Sequence, residues 1–294
     1  MTNPYLAWVR ECEAWLARGR GMPLGGIPVP FRSGDDPAAG VALIFSPHPD
    51  DECIIGALPL RLAREAGMAV TNIAVTLGSK KERRDGRWSE LQDACKFLGW
   101  PVQSAAPNGM EKISPKGRAE DPGNWRKAVG TIRGILEQHQ PGVIIFPHEG
   151  DWNPSHVGTH HLVMEALAGM PVSYSCVIVE TEFWAAMATP NVILECGADD
   201  VAELVAATSF HVGEVRRNPY HLTLPAWMQD NVRRGGELVG GAGGAVPDFA
   251  FCTLYRVRGW KQGALSSTVP AGSVVAVGTS MRDWLAEVRK ALGV

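Results

Sequence analysis

The 294-residue chain is predicted to fold as an α/β protein, a Rossmann-like open sheet, mostly parallel and flanked by helices on both faces, with a C-terminal α/β extension. Two observations carry this expectation. Short β-rich apolar runs alternate with helical patterns along the chain, which is the signature of βαβ units. Two of those runs, Val41 to Phe45 and Val143 to Phe146, are each followed within a few residues by histidine and aspartate. An open α/β sheet carries its chemistry at such strand ends.

Taken in order, the pattern predicts a helix over 4–18, a Gly/Pro loop to 39, a strand at 41–46, a helix at 52–67 and a strand at 69–76. A helix follows at 87–98, beginning Arg87-Trp88-Ser89-Glu90-Leu91, and a loop rich in Gly, Pro and charge spans 105–123. Helix 124–139, strand 142–147, helix 156–169 and strand 174–181 complete the central alternation. Residues 198–215 read as a helix with Ala202, Val205 and Ala206 on one face. The glycine density of 235–247 predicts a flexible loop, Phe249 to Val257 a strand, and 280–292 a closing helix. The organisation expected is an N-terminal extension (1–39), a core carrying the chemistry (40–185) and a C-terminal portion completing the same domain (186–294).

Composition bounds the class. A chain that is 45% hydrophobic with a net charge of −3 has length for a large core and lacks the basic face that tracks phosphates, so no nucleic-acid partner is expected. The densest basic cluster, Lys80-Lys81-Glu82-Arg83-Arg84, reads as a solvated loop rather than an anion site. No run approaches the roughly eighteen apolar residues of a membrane span. The first eighteen residues contain Glu11 and Glu13 and no signal-peptide core, which makes a cytoplasmic location the expectation. The six cysteines are scattered without a Cys-x-x-Cys pair, against both a thiolate zinc site and a disulfide framework, and Cys53 reads as a small buried thiol.

The chemistry concentrates in two clusters. Pro47-His48-Pro49-Asp50-Asp51-Glu52 follows the first strand, and Asp151-Trp152-Asn153-Pro154-Ser155-His156 follows the second run. Neutral imidazoles with one carboxylate suit a borderline-soft divalent ion, and a neighbouring carboxylate is left to move protons. His48, Asp51 and His156 make a set of three ligands, with Asp50 as candidate general base and Asp151 beside them. His160 is a rival third ligand, because it pairs with His156 at i, i+4 on one helical face. His148, at the preceding strand end, reads equally well as pocket-lining or structural. No His-Glu-x-x-His or Gly-x-Gly-x-x-Gly pattern occurs, which disfavours a metalloprotease and a dinucleotide-binding enzyme.

On these motifs the chain resembles the LmbE/PIG-L family of zinc-dependent N-deacetylases over roughly residues 40–165. Residues 47–52 match the family's Pro-His-Pro-Asp-Asp-Glu at every position, and Arg87-x-x-Glu90-Leu91 resembles its Arg-x-x-Glu-Leu helix start. Residues 151–156 match Asp-x-His-Pro-Asp-His in part, Asn153 standing for the first histidine and Ser155 for the second aspartate. The resemblance implies Zn2+, with Fe2+ or another divalent ion acceptable to the same donors, and the same roles for His48, Asp50, Asp51 and His156. It implies a catalytic position for Asn153, whose amide can donate to an oxyanion but cannot carry a proton. It also implies that Arg87 reaches substrate hydroxyls or a phosphate, an i, i+3 pair with Glu90 being the structural alternative, and that Trp152 stacks on a sugar. His160, His211 and Trp184 are the further pocket candidates.

The function the resemblance implies is removal of an N-acetyl or other N-acyl group from a small-molecule amino-sugar derivative. The alternatives are an amidase acting on a thiol conjugate or non-sugar N-acyl amine, and a catalytically idle metal-binding module. A homo-oligomer is a further possibility the family suggests.

Overall fold

The computed structural model describes residues 3–30, 32, 36–182, 184–269 and 272–294. Its strands are β1 (Val41–Ser46), β2 (Ala69–Ala74), β3 (Val102–Ser104), β4 (Val143–Pro147), β5 (Cys176–Thr181), β6 (Val192–Glu195), β7 (Cys252–Lys261), β8 (Ala264–Thr268) and β9 (Ser273–Val275). They form one sheet in the order β3-β2-β1-β4-β5-β7-β6-β9, with β8 paired to β7. The first five strands are parallel to one another, and β6 is parallel to β9. β7 runs antiparallel to β5, β6 and β8, so the C-terminal segment extends the same sheet.

The period-two alternation of strand side chains divides the core between the two faces. Leu43 and Phe45 of β1 join Ile144 and Phe146 of β4 under Ile132, Leu136, Leu162 and Val163 from helices Pro122–His139 and Pro154–Ala168. Ala42 and Ile44 face the other way, against Leu58, Leu204, Met228 and Leu285. From β1 the chain steps outward through β2 to β3, then returns to the opposite side of β1 as β4. That reversal is the switch point at which open α/β sheets hold ligands, and both predicted clusters leave the sheet there.

Several elements differ from expectation. The single helix at 52–67 is broken into Asp51–Ile54, Leu58–Arg61 and a π-helical turn, Leu62–Ala66. The break is Gly56, at φ +93, where an added Cβ would lie 2.3 Å from Thr253 Cγ2. The helix at 198–215 divides into Ala198–Ser209 and Val212–Val215 around His211. The loop at 105–123 contains a short helix, Pro115–Glu120, capped by the Ser114 hydroxyl. The glycines of 235–247 do not make one loop: helix Leu224–Gly240 runs through Gly235 and Gly236. Their missing side chains allow close packing instead, since a Cβ on Gly235 would meet Leu254 at 3.0 Å and Ile193 at 3.1 Å. The N-terminal helix, Tyr5–Gly19, forms as expected with none of its residues buried. No described helix is long and apolar enough to cross a membrane.

Candidate active site

The turn after β1 is tied down by its own groups. The Thr76 hydroxyl donates to Pro47 O at 2.7 Å, the His48 N–H donates to Asp51 Oδ2 at 2.8 Å, and the Asp50 N–H donates to Glu52 Oε2 at 2.9 Å. This bonding holds Asp50 at φ +119, a strained conformation for a residue with a side chain. Its carboxylate is buried, accepts the Tyr220 hydroxyl at 2.5 Å, and lies 3.7 Å from Arg87 Nη2.

The strand ends converge as the motifs predicted. Donor atoms of His48, Asp51 and His156 lie within 4.8 Å of one another. Asp51 Oδ2 is 3.4 Å from His48 Nδ1 and 3.3 Å from His156 Nε2. Asp151 Oδ2 takes His156 Nδ1 at 3.2 Å, where a carboxylate fixes the orientation of the imidazole, while its Oδ1 accepts the Asn153 N–H at 2.7 Å. His156 Nε2 is then buried with no hydrogen-bond partner, aimed at Asp51 and His48. An orphaned nitrogen beside a carboxylate and a second imidazole fits a divalent cation. Asp51, Asp151 and His156 also line a void of about 10 Å³, the size of a single water or ion.

The charges are uneven across this cluster. Burial, then the neighbouring Asp51 charge, push the Asp50 carboxyl up to about 6 against the pull of Arg87, His211 and the Tyr220 hydroxyl. Burial acts on Asp51 in the same direction, but His156 and His48 outweigh it and hold its carboxyl far below the usual range. His156, which burial alone would lower, is carried up to about 10 by Asp51 and Asp151. Two adjacent carboxyls thus separate into a permanent anion and a group that exchanges protons near neutrality.

His160 is outside this set. Its Nδ1 meets Pro147 O at 3.1 Å, and its ring groups with Glu149 and Glu180. Burial lowers its pKa, and of the i, i+4 pair it is His156, not His160, whose donor atom groups with those of His48 and Asp51. His211 is wholly buried and bonds Glu52 Oε1 through Nε2 at 2.7 Å; burial would lower it, but the Glu52 charge raises it. Its contact with the motif is thus through Glu52. Both ring nitrogens of His148 are engaged with the backbone: Nε2 contacts Ala185 O at 3.1 Å and Nδ1 accepts the Gly150 N–H at 3.2 Å. All six cysteines are free, and burial lifts the Cys53 thiol well above its ordinary range.

Arg87 does not pair with Glu90. It donates to Pro49 O at 2.8 Å and faces Asp50, while Glu90 accepts the Gly213 N–H at 2.8 Å. Trp152 is 67% exposed, with its indole N–H donating to Trp184 O at 3.0 Å and its ring 6.2 Å from that of Trp184. Trp184 stands edge-on to Tyr220 at 5.6 Å, so an aromatic rim leads to Asp50. Asn153 caps helix Pro154–Ala168, its Oδ1 accepting the Ser155 N–H at 3.0 Å. Tyr220 was not singled out from sequence. It lies 170 residues from its partner Asp50, in Asn218-Pro219-Tyr220, with no pattern to mark it.

Fold and site together define an α/β protein with a switch-point centre of two imidazoles and a carboxylate suited to a divalent metal. Residues 43–167 match the family described as PIG-L: GlcNAc-PI de-N-acetylase. A 157-residue stretch is 26% identical to the 1D-myo-inositol 2-acetamido-2-deoxy-alpha-D-glucopyranoside deacetylase of Mycobacterium leprae, covering 45% of this chain and 51% of that protein. The chain thus spans about half the length of the curated relative it matches. Among solved structures, the N,N'-diacetylchitobiose deacetylase of Pyrococcus horikoshii superposes with a TM-score of 0.55 at 16% identity, over 87% of this chain and 93% of that one. GalB, the 4-carboxy-2-hydroxymuconate hydratase of Pseudomonas putida, gives 0.55 at 14% identity, over 74% and 95%. One fold thus serves a deacetylase and a hydratase, and the reaction has to be argued from the site.

Proposed function

We propose that this protein is a metal-dependent hydrolase that removes an N-acetyl or related N-acyl group from an amino-sugar derivative. The observation that carries the reading is the pairing of a metal-suited donor set with a separate, buried carboxylate whose proton affinity lies near neutrality. Both histidine donors being imidazole nitrogens, zinc is the metal proposed, held by His48, Asp51 and His156. A divalent ion held there would lower the pKa of a bound water to about 7 and would polarise the substrate carbonyl.

The remaining work falls to the chain. Asp50 accepts the proton of the attacking water and returns it to the departing nitrogen, a shuttle suited to a carboxyl near pH 6. Tyr220 and Arg87 hold that carboxylate in one orientation. Asn153 Nδ2 donates to the developing oxyanion, its Oδ1 being committed to the helix cap. Trp152 offers an exposed indole face on which a sugar ring can stack.

The test is free-amine release from a panel of N-acetylglucosamine derivatives and non-sugar N-acyl amines, with protein stripped of metal and reloaded with zinc. Zinc-dependent release that disappears in Asp50→Ala while bound metal is retained supports the reading. Tight metal binding without amine release from any compound overturns it in favour of an idle metal module.

A further inference from the structure

Beside Asp50 lies a second cavity, of about 200 Å³, between the loop after β2 and the segment following His211. Lys80, Arg83, Arg87 and Arg217 line it, with Glu214 as the one carboxylate in the wall. Glu214 accepts hydrogen bonds from both Arg83 and Arg217, and Arg87 Nε approaches it at 3.7 Å. Glu214 in the wall and Asp50 beside Arg87 offset two of the four cations, so the cavity keeps an excess of about two positive charges in a chain whose net charge is −3. Arg87 Nε is also buried without a hydrogen-bond partner.

The basic run therefore does not behave as one solvated loop. Lys81 and Arg84 pair with Glu111 on the outside, at 3.2 and 2.9 Å, while Lys80 and Arg83 turn to the cavity. Planar guanidiniums with a flexible ammonium suit a phosphate or carboxylate group. Arg87 sets the relation to the chemistry, because the side chain that lines the cavity also lies 3.7 Å from Asp50 Oδ2. An anion seated there is within one small molecule's length of the reacting amide.

We infer that this cavity binds an anionic substituent of the substrate, which makes the substrate an N-acylated amino sugar bearing a phosphate or carboxylate. The inference rests on the hydrolase reading above. It assigns Lys80, Arg83 and Arg217 to recognition of the anion, and leaves Arg87 as the link to Asp50.

The experiment separates the two ideas. Equilibrium binding of N-acetylglucosamine, its 1-phosphate, its 6-phosphate and N-acetylmuramic acid is measured on zinc-loaded Asp50→Asn protein, with and without the added pair Lys80→Ala and Arg217→Ala. Amine release from the same compounds is measured on the zinc-loaded protein with its natural sequence. At least one anionic sugar is expected to bind about tenfold or more tightly than neutral N-acetylglucosamine, and the pair should bring that ratio close to one. Which compound gains identifies phosphate or carboxylate and its ring position. Equal binding of neutral and anionic sugars, or a preference that survives the pair, overturns the inference even if amine is released. A preference abolished by the pair with no amine release from any compound supports the anion site and removes the hydrolase reading instead.

Discussion

Asn153 is the residue whose substitution says most about the site. Its Oδ1 closes the first turn of the helix that carries His156, while no protein partner for its Nδ2 is found among the described residues. Aspartate caps helices as well as asparagine but offers no N–H. Asn153→Asp should therefore keep the melting temperature and metal content and lower turnover by about 10²-fold, the usual cost of one oxyanion donor. Turnover within a few-fold of the natural protein would leave Asn153 as a cap alone. Residues of this kind were legible because the chemistry lies in two short contiguous motifs at strand ends. Tyr220 was not, and His211 and Glu52 were singled out without the bond that joins them, since the contacts that matter link positions 170 and 159 residues apart. Local sequence carries no trace of such pairs.

At the scale of elements, glycine was the residue read least well, because the same absence of a side chain serves flexibility, a positive φ or close packing. Gly235 and Gly236 raise the apparent mobility of a segment that is in fact a helix pressed onto β6 and β7. Gly56 is the opposite case, hidden inside what periodicity reads as one helix. Its break lets the Tyr255 hydroxyl donate to Ile55 O at 2.9 Å and accept the Leu58 N–H at 3.2 Å, anchoring the motif helix to β7. A methyl at Gly56 would meet Thr253 Cγ2 at 2.3 Å and Tyr255 Oη at 2.6 Å, at φ +93. Gly56→Ala is expected to cost about 2–4 kcal/mol of unfolding free energy in urea titrations. Gly86→Ala, inside helix Arg84–Leu98 with nothing within 4 Å of the new methyl, should instead gain about 0.5–1 kcal/mol. Equal effects at the two glycines would contradict the packing argument. The strands missed from sequence, β3, β6, β8 and β9, have three to five residues, too few for alternation to register.

Across the whole molecule, the parallel half of the sheet is joined to the antiparallel strand β7 by a charged network as well as by backbone pairing. Glu180 of β5, fully buried, accepts from Arg256 Nε at 2.6 Å and Arg258 Nη2 at 2.6 Å, both on β7. Arg256 reaches on to Glu149, in the loop after β4. Burial would raise the Glu149 carboxyl, but the hydrogen bond from Arg256 prevails and holds it down to about 2, against an ordinary value of 4.5. The folded value lies below the unfolded one, so this group adds stability above about pH 4.5, and the contribution is lost as pH falls toward 2. Glu149 is 46% exposed, and solvent screening limits the gain to about 1 kcal/mol or less. Unfolding free energies of the natural protein and Glu149→Gln should differ by that amount at pH 7 and converge as pH approaches 2. Parallel curves from neutral pH to 2 would mean that Arg256 is spent on Glu180 alone, leaving β7 held to β4 and β5 without help from the loop.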